Sequence, residues 1–302
     1  MTNEITVRVP AKVNLYLGVG APRPDGFHPL DTVYQAIGLY DDVTAGPADD
    51  WRVDVRTSDH VAAEALPPAG DNIVDRAARL LAAHHGVDVR GELRVDKDIP
   101  VAAGLAGGSA DAAGALVALD RLWQLETPDD DLLRLAGELG SDVPFALVGG
   151  SAHGTGRGEL VHRVPDEGGW WWVVVPFREG LSTPDVYRRF DQLHPDAPVV
   201  PTGPLAVLGA LQDGDVRALA RALHNDLQAA ALDLRPELAD VIAAGEEAGG
   251  LRGMVSGSGP TVVLLCGSGD EARQVAGTLA PSYDTVLIAP APVAGAHLVV
   301  RA

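Results

Sequence analysis

One stretch of the chain organises the rest, and it reads Asp98-Ile99-Pro100-Val101-Ala102-Ala103-Gly104-Leu105-Ala106-Gly107-Gly108-Ser109-Ala110-Asp111-Ala112-Ala113-Gly114-Ala115-Leu116-Val117-Ala118-Leu119. A glycine-rich turn led by a proline passes directly into a run of alanine and leucine, which are strong helix formers. The glycines therefore lie where the first unpaired N–H groups of a helix point, and such groups bind phosphate. The stretch predicts a phosphate-binding loop; a tight loop without a ligand is the alternative.

The spacing of the glycines differs from that of two familiar nucleotide-binding motifs. Gly104, Gly107 and Gly108 do not form Gly-x-Gly-x-x-Gly, and no Lys-Ser or Lys-Thr follows them as in a Walker A loop. An NAD-linked oxidoreductase is therefore disfavoured. Ser109 is expected either to cap the helix or to reach a metal ion bound to the phosphate.

Composition sets the class of protein. With 302 residues, 46% of them hydrophobic, the chain is long enough for two domains. A formal net charge of -19 argues against nucleic acid or an anionic membrane as the partner, because both favour clustered Lys and Arg. The acidic, polar N-terminus lacks the features of a signal peptide and no apolar run reaches membrane-spanning length, so we expect a cytoplasmic protein. The single cysteine, Cys266, lies in an apolar run and is expected to be buried and inert.

Two strands are predicted near the N-terminus, Ile5 to Pro10 and Ala11 to Val19. Alternation in the second places Lys12, Asn14 and Tyr16 on one face, opposite Val13, Leu15 and Leu17. A solvated polar face is the simpler interpretation of Lys12 and Asn14 from this pattern alone.

Two further segments carry residues suited to a site. A turn-rich segment, Ala21 to Leu30, ends with Phe27 and His28 side by side, and a ring beside a hydrogen-bonding group suits a flat heterocycle. A loop anchored by Phe27 with His28 in solvent is the alternative. Asp142 precedes an apolar helix, so it is either a partly desolvated carboxylate or a simple helix cap.

The rest of the chain predicts alternating strands and helices. Further strands are expected at residues 31–42, 51–55, 91–97, 170–176, 261–266, 285–288 and 296–300. Further helices are expected at residues 71–86, 128–139, 185–190, 205–211, 216–223, 238–248 and 271–279. Gly149 to Gly158 is too rich in glycine for regular structure, so it is interpreted as a domain junction that divides the chain into residues 1–158 and 159–302.

Three separated segments together resemble the superfamily of galactokinase, homoserine kinase, mevalonate kinase and phosphomevalonate kinase, the GHMP kinases. They are Pro10-Ala11-Lys12-Val13-Asn14-Leu15, Pro100 to Ala113, and Val255-Ser256-Gly257-Ser258-Gly259-Pro260. Within the superfamily, Lys12 to Leu15, Arg23 to His28 and Gly140 to Phe145 resemble the family of cytidine-diphosphate-methylerythritol kinases of the non-mevalonate isoprenoid pathway.

The resemblance implies an α+β fold of two domains. The N-terminal domain would be the ATP-binding domain, of ribosomal-protein-S5-domain-2-like type, and the C-terminal domain an α/β sandwich of ferredoxin-like type. It also implies ATP and Mg²⁺ as cofactors, a cytidine-diphosphate alcohol bound between the domains and phosphorylated on its 2-hydroxyl, and a monomer or homodimer.

The resemblance also assigns roles to residues. It implies catalysis by Lys12 and Asp142, and it makes Ser109 the candidate metal ligand. The implied substrate contacts are Asn14, Phe27, His28, Asp142, Thr183 and Tyr187. The implied ATP loop consists of Pro100, Val101, Ala102, Ala103, Gly104, Leu105, Ala106, Gly107, Gly108, Ser109 and Ala110. The third glycine motif consists of Ser256, Gly257, Ser258 and Gly259.

The chain departs from the family pattern at four positions. Ala106 stands where the family usually has glycine, which puts a positive φ there in doubt. Ala110 replaces a frequent serine, Phe27 replaces a more common tyrosine, and Pro29 restrains His28 to an extended conformation. Two alternatives stay open: a kinase of the homoserine or mevalonate type, and an inactive nucleotide-binding module. Retention of both Lys12 and Asp142 disfavours the second.

Overall fold

A computed structural model describes residues 4–61 and 72–299. The strands are β1 (Ile5–Val19), β2 (Leu30–Gly46), β3 (Arg52–Thr57), β4 (Glu92–Lys97), β5 (Ser151–Thr155), β6 (Leu160–Arg163), β7 (Trp170–Val175), β8 (His224–Asn225), β9 (Arg252–Val255), β10 (Val262–Cys266), β11 (Leu287–Ala291) and β12 (His297–Leu298). The helices are α1 (Ile73–His85), α2 (Gly107–Trp123), α3 (Asp129–Leu139), α4 (Val143–Val148), α5 (Thr183–Leu193), α6 (Leu205–Asp213), α7 (Val216–Ala222), α8 (Gln228–Leu234), α9 (Glu237–Glu247) and α10 (Gly269–Leu279).

The larger sheet carries the helix that follows the glycine loop. Within the described ranges it has eight strands in the order β12-β1-β2-β4-β3, with β5 joining β2 to β6 and β8 pairing with β1. Helix α2 packs on β1 and β2 through alanines and Gly114. A Cβ on Gly114 would lie 2.6 Å from Val43 Cγ2 and 2.9 Å from Val9 Cγ2, so glycine is what lets the helix approach this closely. The small residues thus hold the N-terminus of α2 against the sheet.

The smaller sheet has the strand order β11-β7-β10-β9, and every pairing in it is antiparallel. In chain order this is 4-1-3-2, as expected for a ferredoxin-like domain. Strand β7 is buried on both faces: Trp172 packs toward the larger sheet and Val173 toward the helices. Trp172 Nε1 donates a hydrogen bond of 2.9 Å to Gln35 Oε1 on β2, which joins the two sheets. The predicted two-domain α+β fold is confirmed.

The two predicted N-terminal strands are one strand, β1, which is a correction. Pro10 pairs with Tyr40 but Ala11 pairs with Ile37, so the register shifts at this point while the strand continues. Pro10 has no N–H to donate to the ladder, and an irregularity in the pairing accommodates that loss. A change of phase at a proline therefore marks a bulge here and does not end the strand.

The stretch Gly149 to Gly158 was also wrongly predicted to lack regular structure, because it contains β5. Its glycines reflect close packing: a Cβ on Gly154 would lie 2.6 Å from Tyr34 Cε2, and one on Gly158 would lie 2.2 Å from the Tyr34 hydroxyl. The hairpin of β5 and β6 crosses the predicted boundary after Gly158. The division into residues 1–158 and 159–302 stays a prediction.

Most other predicted elements are present, with shifted ends. Helix α8 and strands β6, β8 and β9 were not predicted, and β11 begins two residues after the start of the predicted strand. The predicted ends at Asp71 and Val300 lie outside the described residues. Cys266 is buried as expected, and burial raises the pKa of its thiol to about 12. Across residues 4–61 and 72–299, no helix combines the length and the hydrophobicity that a membrane crossing requires.

Candidate active site

A cleft of about 940 Å³ lies between the two sheets, and we call it the central cleft. Such a volume suits small-molecule ligands. It is lined by the N-terminus of α2, the middle of β1, the N-terminus of α5 and the turn between β9 and β10. The predicted site residues that line it are Lys12, Asn14, Phe27, His28, Val101, Ala102, Ala103, Gly104, Ala106, Gly107, Gly108, Ser109, Asp142, Thr183, Tyr187, Gly257, Ser258 and Gly259. Pro100, Leu105, Ala110 and Ser256 are buried behind it.

The glycine loop presents unpaired backbone donors to the central cleft. The first intrahelical hydrogen bond of α2 runs from Ala110 N–H to Ala106 O, at 2.9 Å. The N–H groups of Gly107, Gly108 and Ser109 precede it, and among the residues described they have no hydrogen-bond partner. Three free N–H groups at the positive end of a 17-residue helix are suited to bind an anion.

Ala106 occupies the position before α2 and adopts φ 59° and ψ 31°, the left-handed conformation. The replacement of glycine by alanine therefore leaves the positive φ in place, at a cost of about 1–2 kcal/mol. Because the helix begins at Gly107, Ser109 lies inside the first turn and is not its cap. Its hydroxyl lines the cleft beside the free N–H groups.

Lys12 and Asn14 are buried in the central cleft, so the interpretation as a solvated face is wrong. Lys12 Nζ donates to Asn14 Oδ1 at 2.7 Å and lies 3.7 Å from Asp142 Oδ2. Asn14 Nδ2 in turn donates to Thr32 Oγ1 at 2.8 Å. The Lys12 main chain donates to Leu105 O at 3.1 Å, which ties this strand to the glycine loop.

Tyr16 does not share the face of Lys12 and Asn14, contrary to the prediction. The pairing shifts register between Asn14 and Tyr16, so Leu15 is an extra residue in β1. An extra residue moves the following side chains to the opposite face. Leu17 consequently lines the central cleft, while the Tyr16 hydroxyl donates to Thr202 O at 2.6 Å.

Asp142 is a partly exposed carboxylate in the central cleft, with 30% of its side chain accessible. It accepts no capping hydrogen bond from α4, so the simple cap is excluded. Burial raises the pKa of Tyr34 and of Tyr187, and in both cases the charge of Asp142 adds to the effect. Both phenols therefore stay protonated beside the carboxylate and can act as donors toward it or toward a ligand.

A buried ion cluster lies behind the glycine loop, and the sequence did not reveal it. Lys97 Nζ donates to Asp41 Oδ2 at 2.7 Å and to Asp111 Oδ2 at 2.8 Å. Asp41 Oδ1 accepts the N–H groups of Asp98 and Ile99, at 2.7 and 2.8 Å. The cluster thus holds the start of the loop to the first turns of α2.

Charge and burial oppose each other in this cluster. Burial alone would lower the pKa of Lys97, but the charges of Asp111 and Asp41 outweigh it and raise the pKa above the ordinary value. Burial raises the pKa of Asp111, whose Oδ1 has no hydrogen-bond partner in the described part of the chain. Lys97 therefore gives two of its three N–H donors to buried carboxylates.

The other end of the central cleft is aromatic. The rings of His28 and Tyr187 have centroids 4.9 Å apart and are tilted by 39°. Phe27 is half exposed, and the Arg157 guanidinium carbon lies 5.0 Å from its ring centroid. Thr183 Oγ1, at the start of α5, lies 2.9 Å from Ser258 Oγ in the third glycine motif. Residues far apart in sequence thus form a polar and aromatic wall.

Sequence reasoning missed several residues of the lining, and those with polar or charged groups include Tyr34, Lys97, Asp111, Arg157 and Asp191. Asp191 lies one position beyond the predicted helix of residues 185–190, but α5 continues to Leu193, so Asp191 follows Tyr187 by one turn and shares its face. Lys97 and Asp111 flank the quoted loop, but no local pattern indicates that Asp41 joins them. Across residues 4–61 and 72–299, no group of three or more His, Cys, Asp or Glu side chains could hold a metal ion.

Comparisons with known proteins agree with this geometry. Residues 72–150 match the family model for the GHMP kinases N terminal domain, and residues 207–283 match that for the GHMP kinases C terminal. A 4-diphosphocytidyl-2-C-methyl-D-erythritol kinase of Nocardioides sp. is 67% identical over 294 residues, which cover 97% of this chain and 99% of the relative.

Solved structures agree as well. The crystal structure of a 4-(cytidine 5'-diphospho)-2C-methyl-D-erythritol kinase superposes with a TM-score of 0.74 at 33% identity, over 94% of this chain and 98% of the other. A homoserine kinase from Cytophaga hutchinsonii gives a TM-score of 0.75 at 19% identity, over 99% and 98% of the two chains, and at that identity it supports the fold alone. The chain therefore belongs to the family of 4-diphosphocytidyl-2-C-methyl-D-erythritol kinases, within the GHMP kinases.

Proposed function

We propose that this protein transfers the γ-phosphate of ATP to the 2-hydroxyl of 4-diphosphocytidyl-2-C-methyl-D-erythritol, giving the 2-phosphate and ADP in the non-mevalonate isoprenoid pathway. One observation carries the proposal. A single cleft joins the free N–H groups of α2, the contact of Lys12 with Asp142, and an aromatic wall that contains His28. These three features match a phosphate donor, a reacting hydroxyl and a flat base. Family membership supports the same substrate.

Asp142 is proposed as the general base. The acceptor oxygen attacks the γ-phosphorus, the bond from that phosphorus to the bridging oxygen breaks, and ADP leaves with the bonding electrons. The hydroxyl proton goes to the Asp142 carboxylate, a role that a positioned aspartate fills in protein kinases. Lys12, 3.7 Å away, orients the carboxylate and offsets charge on the transferred group.

ATP is proposed to bind at the glycine loop, with its phosphates on the N–H groups of Gly107, Gly108 and Ser109. Mg²⁺ fits here because Ser109 offers a hydroxyl oxygen in the first turn of α2, and Mg²⁺ binds through few protein oxygens together with phosphate oxygens. We propose that Ser109 holds it. When bound, the ion neutralises charge on the phosphates.

The cytidine end is proposed to lie against Phe27, His28 and Tyr187, with Asn14 and Thr183 contacting the rest of the substrate. Rings supply stacking, and His28 supplies an edge hydrogen bond. The acidic chain is proposed to work in the cytoplasm, as a monomer or homodimer, without nucleic acid or membrane as a partner.

A phosphate-transfer assay tests the proposal. Purified protein with Mg-ATP is offered the cytidine-diphosphate alcohol, homoserine and mevalonate in parallel, and ADP release and phosphorylated product are both measured. We expect product from the cytidine-diphosphate alcohol only. Phosphorylation of homoserine or mevalonate would assign a sister activity, and ATP binding without any transfer would indicate an inactive nucleotide-binding module.

A further inference from the structure

His28 and Asp191 form a contact that the proposed reaction does not use. His28 Nε2 lies 2.8 Å from Asp191 Oδ1, and only 7% of the His28 side chain is exposed. Asp191 lies on α5, one helical turn after Tyr187, whose ring contacts His28. Phe190 closes the other side, with its ring centroid 6.2 Å from that of His28. The imidazole is therefore fixed by rings on its sides and by a carboxylate at one nitrogen.

This contact determines which ring nitrogen carries the proton. A carboxylate only accepts hydrogen bonds, so Nε2 of the neutral ring must be the protonated, donating nitrogen. Nδ1 is then an acceptor. Within residues 4–61 and 72–299 no group donates a hydrogen bond to Nδ1, and this nitrogen is not fully enclosed by protein. Because His28 lines the central cleft, this acceptor is open to a ligand.

The backbone at His28 is restrained as well. Pro29 limits the conformation of the residue before it. Pro29 O accepts a hydrogen bond of 2.9 Å from Gly20 N–H, and Leu30 N–H donates one of 2.8 Å to Gly156 O. The imidazole therefore projects from a main chain that is anchored at the two residues directly after it.

We propose that Asp191 is a positioning residue that sets base specificity by holding His28 in the tautomer with Nδ1 unprotonated. The inference rests on the proposed function. A cytosine joined to ribose has N–H donors only on its 4-amino group, so an accepting Nδ1 can pair with cytosine only there. Uracil has a carbonyl oxygen at that position, and the two acceptors would face each other without a proton between them. Asp191 thus excludes uracil without touching the base.

The test compares Asp191→Asn and Asp191→Ala with wild type. Asparagine can donate to Nε2 and so permits the other tautomer, and alanine removes the constraint entirely. The matched control is Asp185→Asn, which makes the same change on the same helix, at a carboxylate paired with Arg188 and away from His28. For each protein, kcat/KM is measured with the cytidine-diphosphate substrate and with its uridine analogue at pH 8, and the Kd of CDP and UDP is measured separately.

We expect the cytidine-to-uridine ratio of kcat/KM to fall by at least about tenfold in both Asp191 variants, in line with the cost of an unpaired buried polar group. The ratio of Kd values should fall in parallel, and the Asp185→Asn control should keep both ratios. Nitrogen NMR of labelled histidine gives a second readout. The His28 signals, identified by their loss in His28→Gln, should show Nε2 protonated in wild type and a mixture of tautomers in Asp191→Ala.

The inference would be overturned if both Asp191 variants kept the wild-type cytidine-to-uridine ratio of kcat/KM. It would also be overturned if His28 in the wild-type protein carried its proton on Nδ1. A wild-type protein that phosphorylates the two substrates equally would instead overturn the proposed function. The two failures are thus distinguishable.

Discussion

The Ser256 carbonyl oxygen lies where the side chain of any other residue at position 104 would begin, 2.3 Å from the Cβ that Gly104 lacks. Gly104 has φ 76°, and its carbonyl accepts a hydrogen bond of 3.1 Å from Ser256 Oγ. The glycine loop and the third glycine motif are therefore in close contact beside the central cleft, and this contact requires glycine at position 104.

Gly104→Ala should destabilise the protein more than backbone strain alone requires. The matched control is Gly86→Ala, since Gly86 has φ 67° with no atom within 4 Å of the added Cβ. Strain at either site costs about 1–3 kcal/mol. In urea unfolding, Gly104→Ala should lose clearly more free energy than Gly86→Ala. Equal losses would show that the contact between the two loops is not tight.

Gly108→Val should weaken ATP binding without weakening the fold. A Cβ on Gly108 has no protein atom within 4 Å, whereas one on Gly107 would lie 3.1 Å from Ile99 Cγ2, so position 108 tests the ligand more cleanly. Calorimetry should show at least a tenfold rise in the Kd of ATP, the equivalent of about 1.4 kcal/mol. Gly209→Val, in α6 and also in open space, is the control for a valine in a helix. Unchanged ATP affinity would remove the loop from the site.

Lys97→Met should destabilise the protein by about 3–5 kcal/mol, because it leaves Asp41 and Asp111 buried without their cation. Arg56→Met is the control, since its exposed pair with Asp54 should contribute less than about 1 kcal/mol.

The raised pKa of Lys97 also determines how its contribution to stability depends on pH. The contribution of Lys97 to the free energy of unfolding should be constant from neutral pH to about 10.4, which is the pKa of lysine in the unfolded chain. It should decline as the pH rises further. A loss below 1 kcal/mol at pH 7 would contradict the account.

Tyr187→Ala should raise KM for the cytidine substrate more than it lowers kcat, because the ring contacts His28 at the proposed base subsite. Loss of a stacking ring costs about 1–3 kcal/mol, which corresponds to roughly 5- to 150-fold in KM. Tyr187→Phe keeps the ring and should stay within about threefold of wild type, and KM for ATP should not change in either variant. If KM for the substrate is unaltered in Tyr187→Ala, the base lies elsewhere.

Local sequence patterns predicted those features of the site that depend on residues close together in the chain. The free N–H groups of α2 follow from the glycines and the helix formers after them. The pairing of Lys12 with Asn14 follows from alternation in one strand. Both depend on residues within a few positions of each other, where periodicity and propensity hold.

Features that depend on pairing across the fold were not predictable. Leu15 is an extra residue only relative to β2, so no property of β1 by itself indicates that Tyr16 leaves the face of Lys12 and Asn14. The ion cluster joins Asp41 to Lys97 across 56 positions. The glycines of β5 resemble a loop until Tyr34 is seen packed on Gly154. In each case the deciding partner belongs to another element.

Lys12 and Asp142 should behave as one unit. Lys12→Ala should lower kcat severely, because we propose that the lysine orients the Asp142 carboxylate and offsets charge on the transferred group. The double variant Lys12→Ala with Asp142→Asn should then lose less than the product of the two single losses. Fully multiplicative losses in kcat would show that the two residues act independently.

The most direct test of the account is kcat of Asp142→Asn, which keeps the shape of the side chain and removes the proposed base. With the cytidine-diphosphate substrate saturating, kcat should fall by roughly 10²- to 10⁴-fold, the usual range for loss of a general base. The Kd of ATP should stay within about threefold of wild type. A near-native kcat would contradict the account, because the hydroxyl proton would then pass to solvent or to the phosphate without Asp142.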